Sequence, residues 1–276
     1  EGIDRKHIDL PPSHNQLISA VAKAQPNTAV ALINGSAIAM PWVDEVSAIL
    51  ETWLGGQAGA GAIADTLFGK VNPSGKLAET FPKRLQDSPA FINFPGEDGQ
   101  VIYGERMFVG YRYFDKLNIE PLFPFGHGLS YTDFSYSDLK LSATDITDKD
   151  QLEVSLTLTN TGKFVGKEVV QLYVSDTEST LQRPVKELKA FDKIELAPGE
   201  SKQVSFVLSV RDFSYYSKQY DRWLAESGEF EILVGSSSRD MRLNGSLTLT
   251  NTEELNYKMT EFSFFAELWN NPQLKP

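Results

Sequence analysis

The sequence predicts a thin α/β segment followed by an antiparallel β-sandwich of immunoglobulin-like architecture. Three observations predict it. Helix-like and strand-like signals alternate over residues 1–82, the order that builds a mostly parallel sheet. From Phe134 onward apolar residues recur at every second position, the period of a strand with one buried face. Turn signals then divide roughly 115 residues into about seven short strands, the spacing of a sandwich.

In the first segment, Ser13 is the N-cap candidate for the helix-like run Gln16–Lys23, and Pro26–Asn27 breaks the chain. Thr28–Ile33 is an apolar run of the length of a buried strand, ended by Asn34–Gly35–Ser36. Ala48–Leu54 is a second apolar run, closed by Gly55–Gly56, and Gln57–Phe68 reads as an Ala-rich helix stopped by Gly69. After the turn Asn72–Gly75, Lys76–Thr80 is expected to add a third strand. Residues 83–133 have weak periodicity and many Gly, Pro and aromatic residues, and read as an ordered linker wrapped against the first unit.

The sandwich spans residues 134–250. Leu152, Val154, Leu156 and Leu158 alternate with polar residues, as do Val170, Leu172 and Val174, then Val204, Phe206 and Leu208, then Phe230, Ile232 and Val234. Asn160–Thr161–Gly162, Ala197–Pro198–Gly199 and Glu226–Ser227–Gly228 supply turns. Residues 251–276 form the tail, in which Met259–Trp269 places Phe262, Phe265 and Trp269 at helical spacing before Asn270–Asn271–Pro272.

Composition bounds the function. With 276 residues, 41% of them hydrophobic, the chain can bury a core. The net charge of −11 and the lack of a Lys/Arg run argue against nucleic acid. No stretch approaches the ~20 apolar residues of a membrane span. There is no cysteine, which excludes disulfides and thiolate metal sites, and His7, His14 and His127 are scattered. No metal and no cofactor is expected.

Motifs that carry chemistry are few. Gly59–Ala64 matches G-x-G-x-x-A, a dinucleotide fingerprint, but follows another α/β unit, and its ribose-binding acid would be Glu79 inside a predicted strand. Close packing of the helix is the preferred reading. Trp42 and Trp53 are read as core residues ahead of sugar-stacking platforms, and His127, alone between two glycines, as structural. No G-x-S-x-G elbow, phosphate loop or H-E-x-x-H occurs.

At several places the sequence resembles glycoside hydrolase family 3, the β-glucosidase family. Pro124–Phe125–Gly126–His127–Gly128–Leu129–Ser130–Tyr131–Thr132 is similar to its PFGxGLSYT signature. Asn72–Pro73–Ser74–Gly75–Lys76–Leu77, with Thr80–Phe81–Pro82, is similar to NPSGRLPxTFP, Lys76 replacing the usual Arg. Tyr103–Gly104–Glu105 and Val109–Gly110–Tyr111–Arg112 resemble a third stretch, in which Arg106 stands where many members have Gly. Gly166–Val174, Arg183–Lys189 and Leu196–Ser201 resemble the family's fibronectin type III-like domain.

The resemblance implies that residues 1–82 are the C-terminal part of an α/β sandwich domain and that 134–250 are a fibronectin type III-like sandwich. It implies a retaining β-glucosidase acting on terminal β-linked glucose, with a β-glucoside as substrate. Its Asp nucleophile would lie on an N-terminal barrel domain, on the same or another chain. Glu1–Gly2–Ile3–Asp4–Arg5 is similar to the E-G-x-D-R stretch of one branch, which makes Glu1 the general acid/base and places the start of this chain at that motif. Asp4 and Arg5 read as an exposed pair or a loop-positioning one. Glu105 is the substrate-adjacent candidate, or else a buried partner of Arg106 or Arg112. Self-association is left open, as are bacterial cytoplasm, periplasm and export. The rival reading is a non-catalytic carbohydrate-binding or adhesion module built on the sandwich.

Overall fold

The structure is a computed structural model describing residues 5–218 and 220–253. The helical tail expected over 251–276 lies outside the described residues beyond Glu253, as does Glu1.

Helix α1 spans Pro12–Ala24. It starts two residues earlier than a Ser13 cap would place it, with Pro11 at the N-cap and no side-chain cap bond. Proline suits a first helical position because its φ is already helical and it lacks the N–H that would go unpaired there. Strands β1 (Ala29–Leu32) and β2 (Ala48–Glu51) pair in parallel, Ala29 opposite Ala48 and Leu32 opposite Glu51. Helix α2 spans Gly59–Leu67.

The expected third strand is absent: Lys76–Thr80 is irregular. Its backbone turns to residues 123–127 instead. Leu77 N donates to His127 O, Gly126 N donates to Leu77 O, and Phe81 forms an isolated bridge with Phe123. A small core of Leu32, Ala37, Ile38, Met40, Trp42 and Phe81 holds this unit together. Trp42 is 1% exposed and donates its indole N–H to Asn15 Oδ1 at 2.8 Å. Trp53 packs half-buried against Phe81, ring centroids 5.8 Å apart.

Between the two units, helix α3 spans Tyr111–Lys116. The sandwich follows with β3 (Phe134–Leu141), β4 (Asp145–Thr147), β5 (Leu152–Asn160), β6 (Gly166–Asp176), β7 (Glu187–Leu196) and β8 (Ser201–Leu208). After the short helix α4 (Val210–Phe213) come β9 (Tyr215–Ser217), β10 (Arg222–Leu224), β11 (Gly228–Ser237) and β12 (Asp240–Thr250). One sheet has the order β4-β12-β11-β6-β7 and the other β3-β5-β8, while β9 and β10 form a separate hairpin. The alternating residues read from the sequence, among them Leu152, Leu156, Val170, Leu172, Ile232 and Val234, lie buried in one core. The predicted fold class therefore holds, with the period-two pattern filling the space between the sheets.

The junction is built from buried polar contacts. Lys76 Nζ lies 3.0 Å from Glu168 Oε1 on β6 and donates to Gly128 O at 2.8 Å. Gly128 is required there, because a Cβ would stand 2.2 Å from Gly75 O. Asn72 receives Ser130 Oγ–H and the Tyr131 N–H on its Oδ1, and donates its amide to Val165 O. On α3, Asp115 accepts from Lys186 at 2.5 Å and pairs with Arg239 at 2.7 Å. The Leu188 N–H donates to Tyr111 Oη. The sandwich is thus clamped through residues 111–131 to the α/β unit.

Candidate functional site

In open α/β sheets, ligands meet the carboxyl ends of the strands. Asn34 and Ser36 follow β1 at that end; Glu51 closes β2 and Trp53 follows it. Asn34 Nδ2 donates to Ser36 O at 3.0 Å and to Glu51 Oε2 at 3.2 Å, and Trp53 N donates to Glu51 Oε1 at 3.0 Å. Burial raises the Glu51 pKa above the ordinary carboxylate value; the Trp53 and Asn34 hydrogen bonds work against it, and the negative Glu79 adds to it. Trp53 has φ +49°, a left-handed conformation that costs a non-glycine residue about 1–2 kcal/mol. Such strain is concentrated where a geometry has to be held.

The N-terminal segment runs along the same edge. Asp9 bridges Ala39, and Ala39 N donates to Ile8 O at 2.9 Å. Arg5 Nη2 donates to Ser36 Oγ at 2.6 Å and to Ala37 O at 3.2 Å. From the other side, Ala37 N donates to Glu79 Oε1 at 3.0 Å. Next to this grip is a cavity of about 530 Å³, lined by Arg5, Ser36, Glu79, Thr80, Tyr111 and Arg112 among others. Tyr111 stacks on Phe125 at 4.9 Å at its wall.

The residues singled out from sequence fare differently. Glu1 lies outside the described residues. Glu105 is half-buried, and its Oε2 has no hydrogen-bond partner among the described residues. The expectation that Arg106 or Arg112 pairs with it is corrected: Arg112 lies 3.7 Å from Glu187 instead. Arg106 has φ +52°, the conformation for which glycine is suited. His127 stacks on Phe123 at 5.3 Å, and burial, helped by Lys76, lowers its pKa. The close packing expected of Gly59 and Gly61 is also corrected. A Cβ at either would meet nothing within 4 Å, and α2 has no buried residue. No group of three or more metal-ligating side chains forms among the described residues.

Arg5, Asn34, Glu51 and Glu79 were not picked out as a set by sequence reasoning. The strand-end rule would have found Asn34 and Glu51. Nothing local would have joined Arg5 to Glu79, which meet only through Ala37.

Comparison with known proteins bears on both units. Residues 1–131 match the glycosyl hydrolase family 3 C-terminal domain, and residues 168–238 match a fibronectin type III-like domain. Thermostable beta-glucosidase B of Acetivibrio thermocellus is 54% identical over 94% of this chain and 34% of its own length. A Bifidobacterium adolescentis GH3 beta-glucosidase crystal structure superposes with a TM-score of 0.89 at 41% identity, covering 99% of this chain and 40% of the other. A Kluyveromyces marxianus beta-glucosidase in complex with glucose gives 0.86 at 45% identity, covering 91% of this chain and 30% of the other. The chain spans about a third of the length of the curated relatives it matches.

The α/β unit with carboxylates at its strand ends lies in the first matched region, and the sandwich clamped to it carries the second. The chain carries the glycosyl hydrolase family 3 C-terminal domain, followed by a fibronectin type III-like domain.

Proposed function

We propose that the chain is the C-terminal part of a retaining β-glucosidase that hydrolyses terminal β-linked glucose from oligosaccharides or glycosides. The observation that carries this reading is the grip on the segment following the E-G-x-D-R stretch. Arg5 and the Ile8–Ala39 bond fix that segment against the carboxyl ends of β1 and β2, where such sheets place their chemistry. The 54% identity to a thermostable beta-glucosidase supports it.

In this reading Glu1 is the general acid/base and the Asp nucleophile lies on an N-terminal barrel domain. A retaining glycosidase needs two carboxyl groups about 5–5.5 Å apart. The nucleophile attacks the anomeric carbon while the protonated acid donates to the departing glycosidic oxygen. The same group, now a carboxylate, then takes a proton from the water that releases glucose. The neighbouring negative nucleophile would keep the acid protonated by raising its pKa. Glu105 is proposed to lie beside the substrate, on the strength of its unpaired, buried Oε2.

Residues 83–133 act as an ordered linker and the sandwich as a brace. The rival reading, an independent carbohydrate-binding module, is disfavoured by the clamp: Lys76–Glu168 and Asp115–Lys186 tie the sandwich to the rest of the chain.

The test joins this segment to its barrel part and assays release from an aryl β-glucoside. Activity is expected in the joined protein. Glu1→Ala is expected to lower turnover by about 10²–10⁴-fold, the usual contribution of general acid–base catalysis. Unchanged release after Glu1→Ala would remove the catalytic assignment.

A further inference from the structure

Ala37 has its backbone gripped at both ends. Its N–H donates to Glu79 Oε1 at 3.0 Å, and its carbonyl accepts from Arg5 Nη2 at 3.2 Å. The same guanidinium nitrogen holds Ser36 Oγ at 2.6 Å. Ala37 is itself in the small core, 9% exposed, with Ile38 at 1% behind it. The anchor point is therefore rigid, whereas Arg5 lies on an exposed segment. Below it, Asn34 ties Ser36 O to Glu51, so the loop after β1 is held to the end of β2 as well.

We propose that Arg5 and Glu79 are positioning residues for the general acid/base, acting through the Ser36–Ala37 backbone; this rests on the assignment of that role to Glu1. The chemistry needs the donor within hydrogen-bond reach of one oxygen, and misplacement of about 1 Å is costly. Arg5 stands four residues along the chain from Glu1, within about 14 Å of extended backbone. On that side of Glu1 the next hold after Arg5 is the Ile8–Ala39 bond. Glu79 acts one step further away, by fixing the peptide that Arg5 holds. It stands at the variable position of the NPSGRLPxTFP pattern, so the pattern itself does not call for this carboxylate.

A positioning role makes a prediction that general loss of stability does not. Proton donation matters greatly for a poor leaving group and little for one that departs as a stable anion. In the complete enzyme, Arg5→Ala is expected to lower kcat/KM for methyl β-glucoside at least about tenfold, while changing kcat/KM for dinitrophenyl β-glucoside, whose glycosylation step needs no proton, less than about threefold. Arg5→Lys should recover part of the loss, since both bonds come from one nitrogen and an ammonium has donors for both, though on a side chain of different length and angle. Glu79→Gln, which keeps an acceptor for Ala37 N, should lose less than Glu79→Ala, and Glu79→Ala should show the same leaving-group selectivity as Arg5→Ala.

An equal loss on both glucosides, or no loss on either, would overturn the proposal. Glu1→Ala with azide separates its failure from that of the underlying assignment. If Glu1 is the acid/base, azide attacks the anomeric carbon of the glycosyl-enzyme, displaces the Asp carboxylate and yields glucosyl azide without needing a proton removed. If azide restores turnover in Glu1→Ala but Arg5→Ala is indifferent to the leaving group, only the positioning role fails. If azide restores nothing, the assignment of Glu1 falls, and the positioning role with it.

Discussion

Lys76 and Glu168 form an ion pair of 3.0 Å with their side chains 11% and 7% exposed. Lys76 lies in the turn after α2 and Glu168 on β6 of the sandwich. Both belong to stretches that carry the family resemblance, and the third, Pro124–Thr132, joins them where Gly128 O accepts from Lys76. The sequence signatures that identify the chain therefore meet at a structural joint. Tyr136 Oη also donates to Glu168, and burial with the adjacent carboxylate raises the tyrosine's pKa.

Removing one partner of a buried pair leaves an uncompensated charge. Lys76→Met should destabilise the chain by about 3–5 kcal/mol, a large share of a typical folding free energy. Lys76→Arg, the residue the family usually has, should be tolerated within about 1 kcal/mol. Urea unfolding of the three proteins measures both; a Met variant as stable as wild type would show that the pair is not a joint.

Asp115 is the second joint. Its side chain is 4% exposed between Lys186 and Arg239. Asp115→Ala should cost about 3–5 kcal/mol, chiefly by leaving the buried Lys186 without its carboxylate, since Arg239 keeps Glu120 and two carbonyls. It should also split the thermal unfolding into two transitions, because the α3 contact to the sandwich is lost. Differential scanning calorimetry distinguishes one transition from two.

His127 gives a pH dependence. Its folded pKa is lowered, chiefly by burial, so in the window between the folded pKa and the unfolded value near 6.5 the unfolded chain binds more protons. Stability must then fall as pH drops through 6.5 and level off below the folded pKa. His127→Gln should flatten that part of the profile. Urea midpoints at pH 7.5 and 5.5, compared between wild type and variant, carry the test; an unchanged slope would assign it to other groups.

Arg106 sits at φ +52°. Arg106→Gly removes the left-handed penalty of about 1–2 kcal/mol but adds unfolded-state entropy of roughly 0.5–1 kcal/mol. A net gain of up to about 1 kcal/mol is expected in thermal unfolding.

The elements differ in how far they were legible. The sandwich strands were read correctly because alternation is local: Leu152, Val154, Leu156 and Leu158 declare their buried face within one strand. Lys76–Thr80 has strand-like residues, yet the backbone partners of Leu77, His127 and Gly126, lie some fifty positions on and form no ladder with it. The site was less legible. Glu105 stands out from a motif as substrate-adjacent or as a partner of Arg106 or Arg112, and of those two Arg112 turns to Glu187, a residue of another unit. Glu51 carries no motif, and its raised pKa comes from burial, which has no local signature.

By itself the sequence determined the fold class, the family resemblance and the strand faces. These depend on period and on ordered motifs, properties of short stretches. Only the tertiary structure decided which charges meet: Lys76 with Glu168, Asp115 with Lys186, Arg5 and Glu79 at opposite ends of one alanine backbone. A charged side chain can leave water only opposite a partner. That partner is chosen by how distant segments pack, and no local pattern records it.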